Sequence, residues 1–161
     1  MSSSRNSQPI MRVTPAGTIQ TVAGNGSNGP WGDGGQATQA SLGAVEAIAL
    51  DGVGNLYITD PYNHRVRRVA STGVISTVAG AGFGAAEDGG PAQSAAVKFP
   101  KGIAVDGEAN LYLSDSLNHR VRKFTPGGTI STVAGTGYPG YSGAGGPPAS
   151  GQLNHPSGLA A

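Results

Sequence analysis

The chain has 161 residues, of which 28 are glycine and 11 are proline, whereas only 12% are charged and 6% are aromatic. This balance favours short strands joined by many turns and argues against long helices. The formal net charge of +1 gives no strong field towards nucleic acid or an anionic membrane, and zero cysteines exclude disulfides, thiolate metal sites and cysteine nucleophiles.

A repeat of about 55 residues organises the sequence. The motif TVAG begins at Thr21, Thr77 and Thr132, so successive copies lie 56 and 55 residues apart. Between these marks AIALD, NLYITD and NHRVRR in one copy correspond to GIAVD, NLYLSD and NHRVRK in the next. Three copies are visible, and two of them are complete.

Each copy predicts four short strands, here named a to d. In the second copy they cover residues 46–50, 56–59, 64–69 and 74–78. DGVGN at 51–55 predicts a tight turn between strands a and b, because Asp, Gly and Asn tolerate left-handed backbone angles. A glycine-rich connection then crosses to the next strand a, so the pattern predicts an all-β chain of four-stranded antiparallel β-propeller blades.

Three motifs, P-x-G-I-A-V-D, G-N-L-Y-I-x-D and N-H-R-V-R-x-V, closely resemble NHL repeats. The long bacterial form of this repeat also carries I-S-T-V-A-G and G-D-G-G, and the likeness extends over nearly the whole chain past Ser7. The resemblance implies a propeller that usually has six blades. It divides the chain into an N-terminal segment that is flexible or a poor strand (1–7) and propeller repeats (8–161). The repeats comprise the end of one blade (8–24), two complete blades (45–80 and 100–135) and a first strand of a further or clasped blade (154–161).

About three blades are too few to close a ring, since propellers use four to eight. Blades at the two ends would expose apolar faces, which predicts a homo-oligomer. By resemblance the simplest closed form is a dimer of three-blade halves, in which residues 158–161 of one chain extend the sheet of 10–13 and 18–22 in its partner. A fragment of a longer propeller, and an engineered or recently duplicated piece, are the alternatives.

Polar residues that recur in successive blades are interpreted as structural. They are predicted to cap the turn between strands b and c and to join neighbouring blades through Asp60, Asn63, His64, Arg65, Asp115, Asn118, His119 and Arg120. The functional alternative is a ring of such groups that binds anions or acidic partners. Further basic residues on strand c, Arg67, Arg68, Arg122 and Lys123, are expected to keep their charges in water.

Residues that break the repeat are the better ligand candidates. One aligned position at the start of strand a holds Glu46, Lys101 and Ser157, predicted to lie near the mouth of the central channel. Unmatched aromatic residues in the long loops are further candidates for the same face: Trp31, Phe83, Tyr138 and Tyr141. The alternatives are ordinary variation at a solvated strand start and aromatic side chains that only fix a loop.

The sequence therefore favours a non-catalytic module for self-assembly and for binding a protein, peptide or glycan. An enzyme resembling propeller lactonases or lyases, with a site formed at the channel after assembly, is the alternative, and an RNA-binding propeller is a lesser one. No distinct catalytic set and no cofactor are predicted. A cation site in the long loops is not predicted either, because the acidic pattern of Asp33, Glu87 and Asp88 is lost at Ala144 in the third loop. No run of about 18 apolar residues predicts membrane insertion, and the compartment stays open, including export of a parent protein.

Overall fold

The computed structural model describes residues 7–81 and 87–161. Within them lie ten strands: β1 (Ile10–Val13), β2 (Ile19–Ala23), β3 (Ile48–Leu50), β4 (Leu56–Asp60), β5 (Arg65–Val69), β6 (Ile75–Ala79), β7 (Pro100–Val105), β8 (Leu111–Asp115), β9 (Arg120–Phe124) and β10 (Ile130–Ala134). Five short 3₁₀ segments also occur: Ala37–Gln39, Pro61–Asn63, Ala92–Ser94, Ser116–Asn118 and Pro148–Ser150. No helix within the described residues is long and apolar enough to cross a membrane.

The strands form part of a first blade and two complete blades, which are the second and the third in chain order. Strands β3 to β6 make one four-stranded antiparallel sheet in chain order, β7 to β10 make the next, and β1 with β2 makes a two-stranded sheet. This confirms the predicted all-β propeller architecture. Strands b, c and d of the second copy lie within one residue of their predicted bounds, whereas strand a is shorter than predicted and begins at Ile48.

The turn between strands a and b follows from one aspartate. Asp51 Oδ1 accepts hydrogen bonds from the backbone N–H groups of Val53 at 3.1 Å and Asn55 at 2.8 Å, and Gly54 supplies the positive φ of 87° that the turn needs. Tyr57 donates its hydroxyl to Asp51 Oδ2 at 3.1 Å. Because Asp106 makes the equivalent contacts one blade later, the turn is a property of the repeat.

The blades pack face to face through apolar side chains. One core cluster lies between the second and third blades and includes Tyr57, Val66 and Ile103. Thr59 Oγ1 donates to the carbonyl oxygen of Lys101 at 3.1 Å, which ties strand b of one blade to strand a of the next. Ser114 Oγ makes the same bond to the carbonyl oxygen of Ser157 at 3.0 Å. Residues around Ser157 therefore occupy a strand a position, although residues 154–161 pair with none of the ten strands.

Candidate functional site

The repeated aspartates are fully buried and hold the turns between strands b and c. Asp60 Oδ1 accepts hydrogen bonds from Asn63 Nδ2 at 2.9 Å and from the Gly43 N–H at 3.0 Å. Burial raises the pKa of the Asp60 carboxyl, and these hydrogen bonds offset part of that rise. Asp60 also lies opposite Arg65 in the β4–β5 register. A carboxylate so occupied is a poor candidate for proton transfer to a ligand.

The third blade repeats this arrangement. Asp115 accepts hydrogen bonds from Asn118 Nδ2 at 2.9 Å and from the Lys98 N–H at 2.7 Å, and burial raises its pKa too. Arg120 lies opposite Asp115 in the β8–β9 register and donates from Nη2 to the carbonyl oxygen of Thr136 at 3.3 Å. The repeated aspartates and asparagines and Arg120 thus have hydrogen-bond partners within the blades.

The repeated histidines join neighbouring blades. Both take a left-handed backbone conformation with φ of 54°. His64 Nδ1 accepts a hydrogen bond from the Phe99 N–H at 3.1 Å, and His119 Nδ1 accepts one from the His155 N–H at 3.3 Å. Desolvation is the largest influence on both rings and lowers the pKa of His64 and of His119. The folded state therefore favours neutral rings that keep Nδ1 free to accept.

Replacing His64 with Asn should reduce the loss of stability at mildly acidic pH. A pKa lower in the folded than in the unfolded chain means that the unfolded chain takes up the proton first, so stability falls as pH drops through about 6.5. Asn tolerates the left-handed conformation and places Oδ1 where Nδ1 accepts, but it does not titrate. We expect the H64N variant to gain about 1 kcal/mol relative to wild type on going from about pH 7.5 to about pH 5, measured by urea denaturation.

The comparison between variant and wild type isolates the histidine contribution. The raised carboxyl pKa values of Asp60 and Asp115 act in the opposite direction, since they favour the folded state as pH falls, and they are common to both proteins. Parallel stability curves for wild type and H64N would contradict the assigned role of His64.

Two strand c arginines are buried, which corrects the expectation that this row of charges is solvated. Arg67 and Arg122 have no exposed surface. Arg67 donates to Asp33 Oδ1 from Nη2 at 2.7 Å and from Nε at 3.1 Å, and Arg122 Nη2 donates to Asp88 Oδ1 at 2.7 Å. In each of the first two long loops an aspartate therefore binds an arginine of the blade that follows the loop. Within residues 7–81 and 87–161 no group of three or more His, Asp or Glu could hold a metal ion.

The three residues that break the repeat at the start of strand a line one cavity. Glu46, Lys101 and Ser157 surround a space of about 310 Å³, whose walls also include Ile48, Gly102, Ile103 and Leu159. They meet because strand a is the innermost strand of each blade, so equivalent positions of adjacent blades are neighbours around the centre. Their role as ligand contacts stays a prediction.

The cavity has both charge signs. Glu46 is exposed, whereas Lys101 is partly buried with Nζ 5.9 Å from the centre of the Phe99 ring. That ring packs edge-on against Tyr62 at 4.9 Å between ring centres. Neither Phe99 nor Tyr62 was predicted from the sequence as a site residue, although Phe99 stands directly before Pro100 in the motif that enters strand a. The Lys101 ammonium thus lies over the Phe99 ring, and the contact of Tyr62 is with that ring.

The loop aromatics do not form a single platform. Trp31 lies between β2 and β3, while Tyr138 and Tyr141 lie in the loop after β10, two blades away. All three are highly exposed, and Asn154 Nδ2 donates to the Tyr141 hydroxyl at 3.3 Å. Phe83 lies outside the described residues. Of the predicted ligand-face residues, the structure brings together Glu46, Lys101 and Ser157.

No family model matches this chain. Teneurin-m of Drosophila melanogaster is 32% identical over 141 residues, which is 78% of this chain and 5% of that protein. Among solved structures, a protein of unknown function from Bacteroides thetaiotaomicron has a TM-score of 0.74 at 20% identity and matches 97% of this chain with 38% of its own. An auxiliary nutrient binding protein from the same organism has a TM-score of 0.64 at 21% identity over 98% of this chain and 38% of its own. The solved structures share the propeller fold.

Proposed function

We propose that the chain is a non-catalytic β-propeller module of the NHL type that self-associates and binds a protein, peptide or glycan at the channel mouth. The observation that carries this proposal is the single cavity formed by Glu46, Lys101 and Ser157, three different residues at one position of an otherwise regular repeat. Variation at the position where the blades converge supplies a distinct surface on a repeated scaffold.

The contacts of the repeated polar residues favour binding over catalysis. Asp60 and Asp115 accept from backbone N–H groups and from asparagine amides, and the Nδ1 atoms of His64 and His119 accept from the next loop. A general acid or base needs a proton-transfer atom directed at a substrate, and here those atoms are engaged within the scaffold. Residues of the NHL-like motifs therefore serve as structural parts of the blades.

The chemistry of the cavity suits a polar ligand with hydrogen-bonding groups. Glu46 supplies a carboxylate, Lys101 an ammonium group and Ser157 a hydroxyl group. The apolar wall of Ile48, Ile103 and Leu159 adds surface that a peptide side chain or the face of a sugar ring can cover.

Ligand binding should depend on Lys101 and be indifferent to Lys123. A printed array of glycans and a library of peptides would be probed with labelled protein, and hits would be measured by calorimetry. We expect Lys101→Ala to weaken binding by about 10-fold or more, because it removes a partly buried cation at the cavity. Lys123→Ala is the matched control, since Lys123 lies on β9 outside the cavity, with its ammonium 5.3 Å from the centre of the Tyr112 ring on β8.

Two results would contradict the proposal. Hits that bind K101A as tightly as wild type would remove the cavity from the binding site. One tightly held divalent metal ion per chain in purified protein, measured by mass spectrometry, would argue instead for a metal-dependent propeller enzyme.

A further inference from the structure

In the third long loop, residues 142–153, certain backbone groups are exposed to solvent. The first two long loops use the equivalent groups to bind the last strand of the blade that follows them. In the first loop the Gly34 N–H donates to the Ile75 carbonyl oxygen at 2.8 Å, and the Ile75 N–H donates to Gly35 at 3.0 Å. The second loop makes the same pair of bonds between Gly89, Gly90 and Ile130. In the third loop the equivalent residues, Gly145 and Gly146, are exposed to solvent.

The sheet of β1 and β2 exposes the complementary half of this contact. Ile19 aligns with Ile75 and Ile130 in the repeat. Those two are completely buried, whereas Ile19 is 67% exposed. Ile19 therefore has the backbone position and the apolar side chain that the first two long loops cover at Ile75 and Ile130.

A matched pair of substitutions links the two surfaces. In the complete blades a loop aspartate binds a buried strand c arginine, as in Asp33 with Arg67. The third loop has Ala144 at the aspartate position, and β1 has Met11 at the arginine position. Either change alone would leave a charge without its partner, whereas both together leave an uncharged contact.

The shapes agree with this exchange of an ion pair for an apolar contact. A cavity of about 390 Å³ in the third loop is lined by Ala144, Gly151, Gln152 and Leu153. Ala144 and Gln152 align with Asp33 and Ser41, whose oxygens accept hydrogen bonds from Arg67. The cavity thus occupies the place that receives Arg67 in the first loop, and Met11 is 55% exposed and unbranched.

A second opening lies between the β1–β2 sheet and the blade of β3 to β6. Its volume is about 450 Å³, and its apolar wall includes Ile48, Leu50 and Leu56. Ile48 is 50% exposed, while its counterpart Ile103 is 5% exposed because the second blade covers it. The sequence SGLAA at 157–161 aligns with KGIAV at 101–105, so it carries Leu159 where strand a of a complete blade carries Ile103.

We propose that residues 142–161 of a second copy dock on β1 and β2, with Met11 of one copy in the Ala144 cavity of the other and Leu159 beside Ile48. Two such contacts related by a two-fold axis close a ring of six blades. The proposal rests on the self-association in the proposed function and assigns the surfaces that carry it. The pairing of Met11 with Ala144 makes the contact specific for copies of this chain.

Complementation between two charged variants tests this interface. The measurement is the mass of the full chain by light scattering over a dilution series. Wild type should be a dimer of the 15.9 kDa chain, and M11R or A144D alone should weaken dimerisation by about 100-fold or more, because a dimer of either variant buries two unpaired charges, one at each contact. An equimolar mixture of M11R and A144D should restore a dimer, since one of its two contacts is then an Arg–Asp pair and the other is wild type.

Controls separate this interface from other modes of association. Met11 and Ala144 are exposed in the single chain, so both variants should keep the circular dichroism spectrum of wild type. Val53→Arg, at an exposed turn residue outside both cavities, should dimerise like wild type. A monomeric wild type would overturn the proposal, and so would a dimer indifferent to M11R. The second result would still leave self-association and ligand binding at Lys101 intact.

Discussion

Replacing Arg122 with Met should destabilise the chain by about 3 to 5 kcal/mol, the cost of leaving one member of a buried ion pair without its partner. Arg122 Nη1 lies 3.4 Å from Asp115 Oδ2, and neither side chain is exposed. Arg122 also binds Asp88 at 2.7 Å, so one guanidinium joins the long loop to the turn between strands b and c. Removing it leaves the Asp115 carboxylate buried without its cation.

Urea denaturation followed by circular dichroism would measure this loss. Glu108→Gln is the control, because Glu108 is exposed in the turn between β7 and β8, away from β1 and β2, and its carboxylate accepts only from the Asn110 amide in the described contacts. We expect a change within about 0.5 kcal/mol for that surface substitution. An R122M variant as stable as wild type would mean that Asp115 is protonated or otherwise compensated when Arg122 is removed.

Replacing Gly80 with Ala should destabilise the second blade by at least about 3 kcal/mol, because steric overlap adds to backbone strain. Gly80 ends the TVAG motif and has a φ of 94°. An added Cβ would overlap the His64 carbonyl oxygen and approach the Arg65 Cα to 3.0 Å. Both obstacles are backbone atoms at the start of β5, so they cannot move aside as a flexible side chain could.

Gly89→Ala separates the two causes. Gly89 has a similar φ of 87°, but an added Cβ there would meet nothing within 4 Å. Its substitution should therefore cost about 1 to 2 kcal/mol, the strain of a left-handed backbone alone. Thermal denaturation of both variants would give the comparison, and equal losses would show that close contact with His64 adds nothing.

The sequence by itself was enough to predict the strands and turns of the blades, because the residue patterns that determine them are local. Alternating apolar residues and turn-forming Asp and Gly, as at Asp51 and Gly54, determine strands and hairpins over a few residues. The regular spacing of TVAG placed equivalent strands one blade apart, and it marked Glu46, Lys101 and Ser157 as exceptions to the repeat. Their convergence around one cavity follows once strand a is assigned to the inside of each blade.

Only the tertiary structure decided which charged side chains are buried and which are exposed. Arg67 looks like a solvated strand residue in sequence, but Asp33 reaches it from 34 positions earlier and makes burial of the guanidinium tolerable. Ala144 was noted in the sequence only as the loss of an acidic residue, and its match with Met11 becomes visible only when loop and strand are superposed on the complete blades. Local patterns determine which elements form, whereas long-range contacts determine which polar groups are buried, because burial depends on neighbours that sequence spacing does not specify.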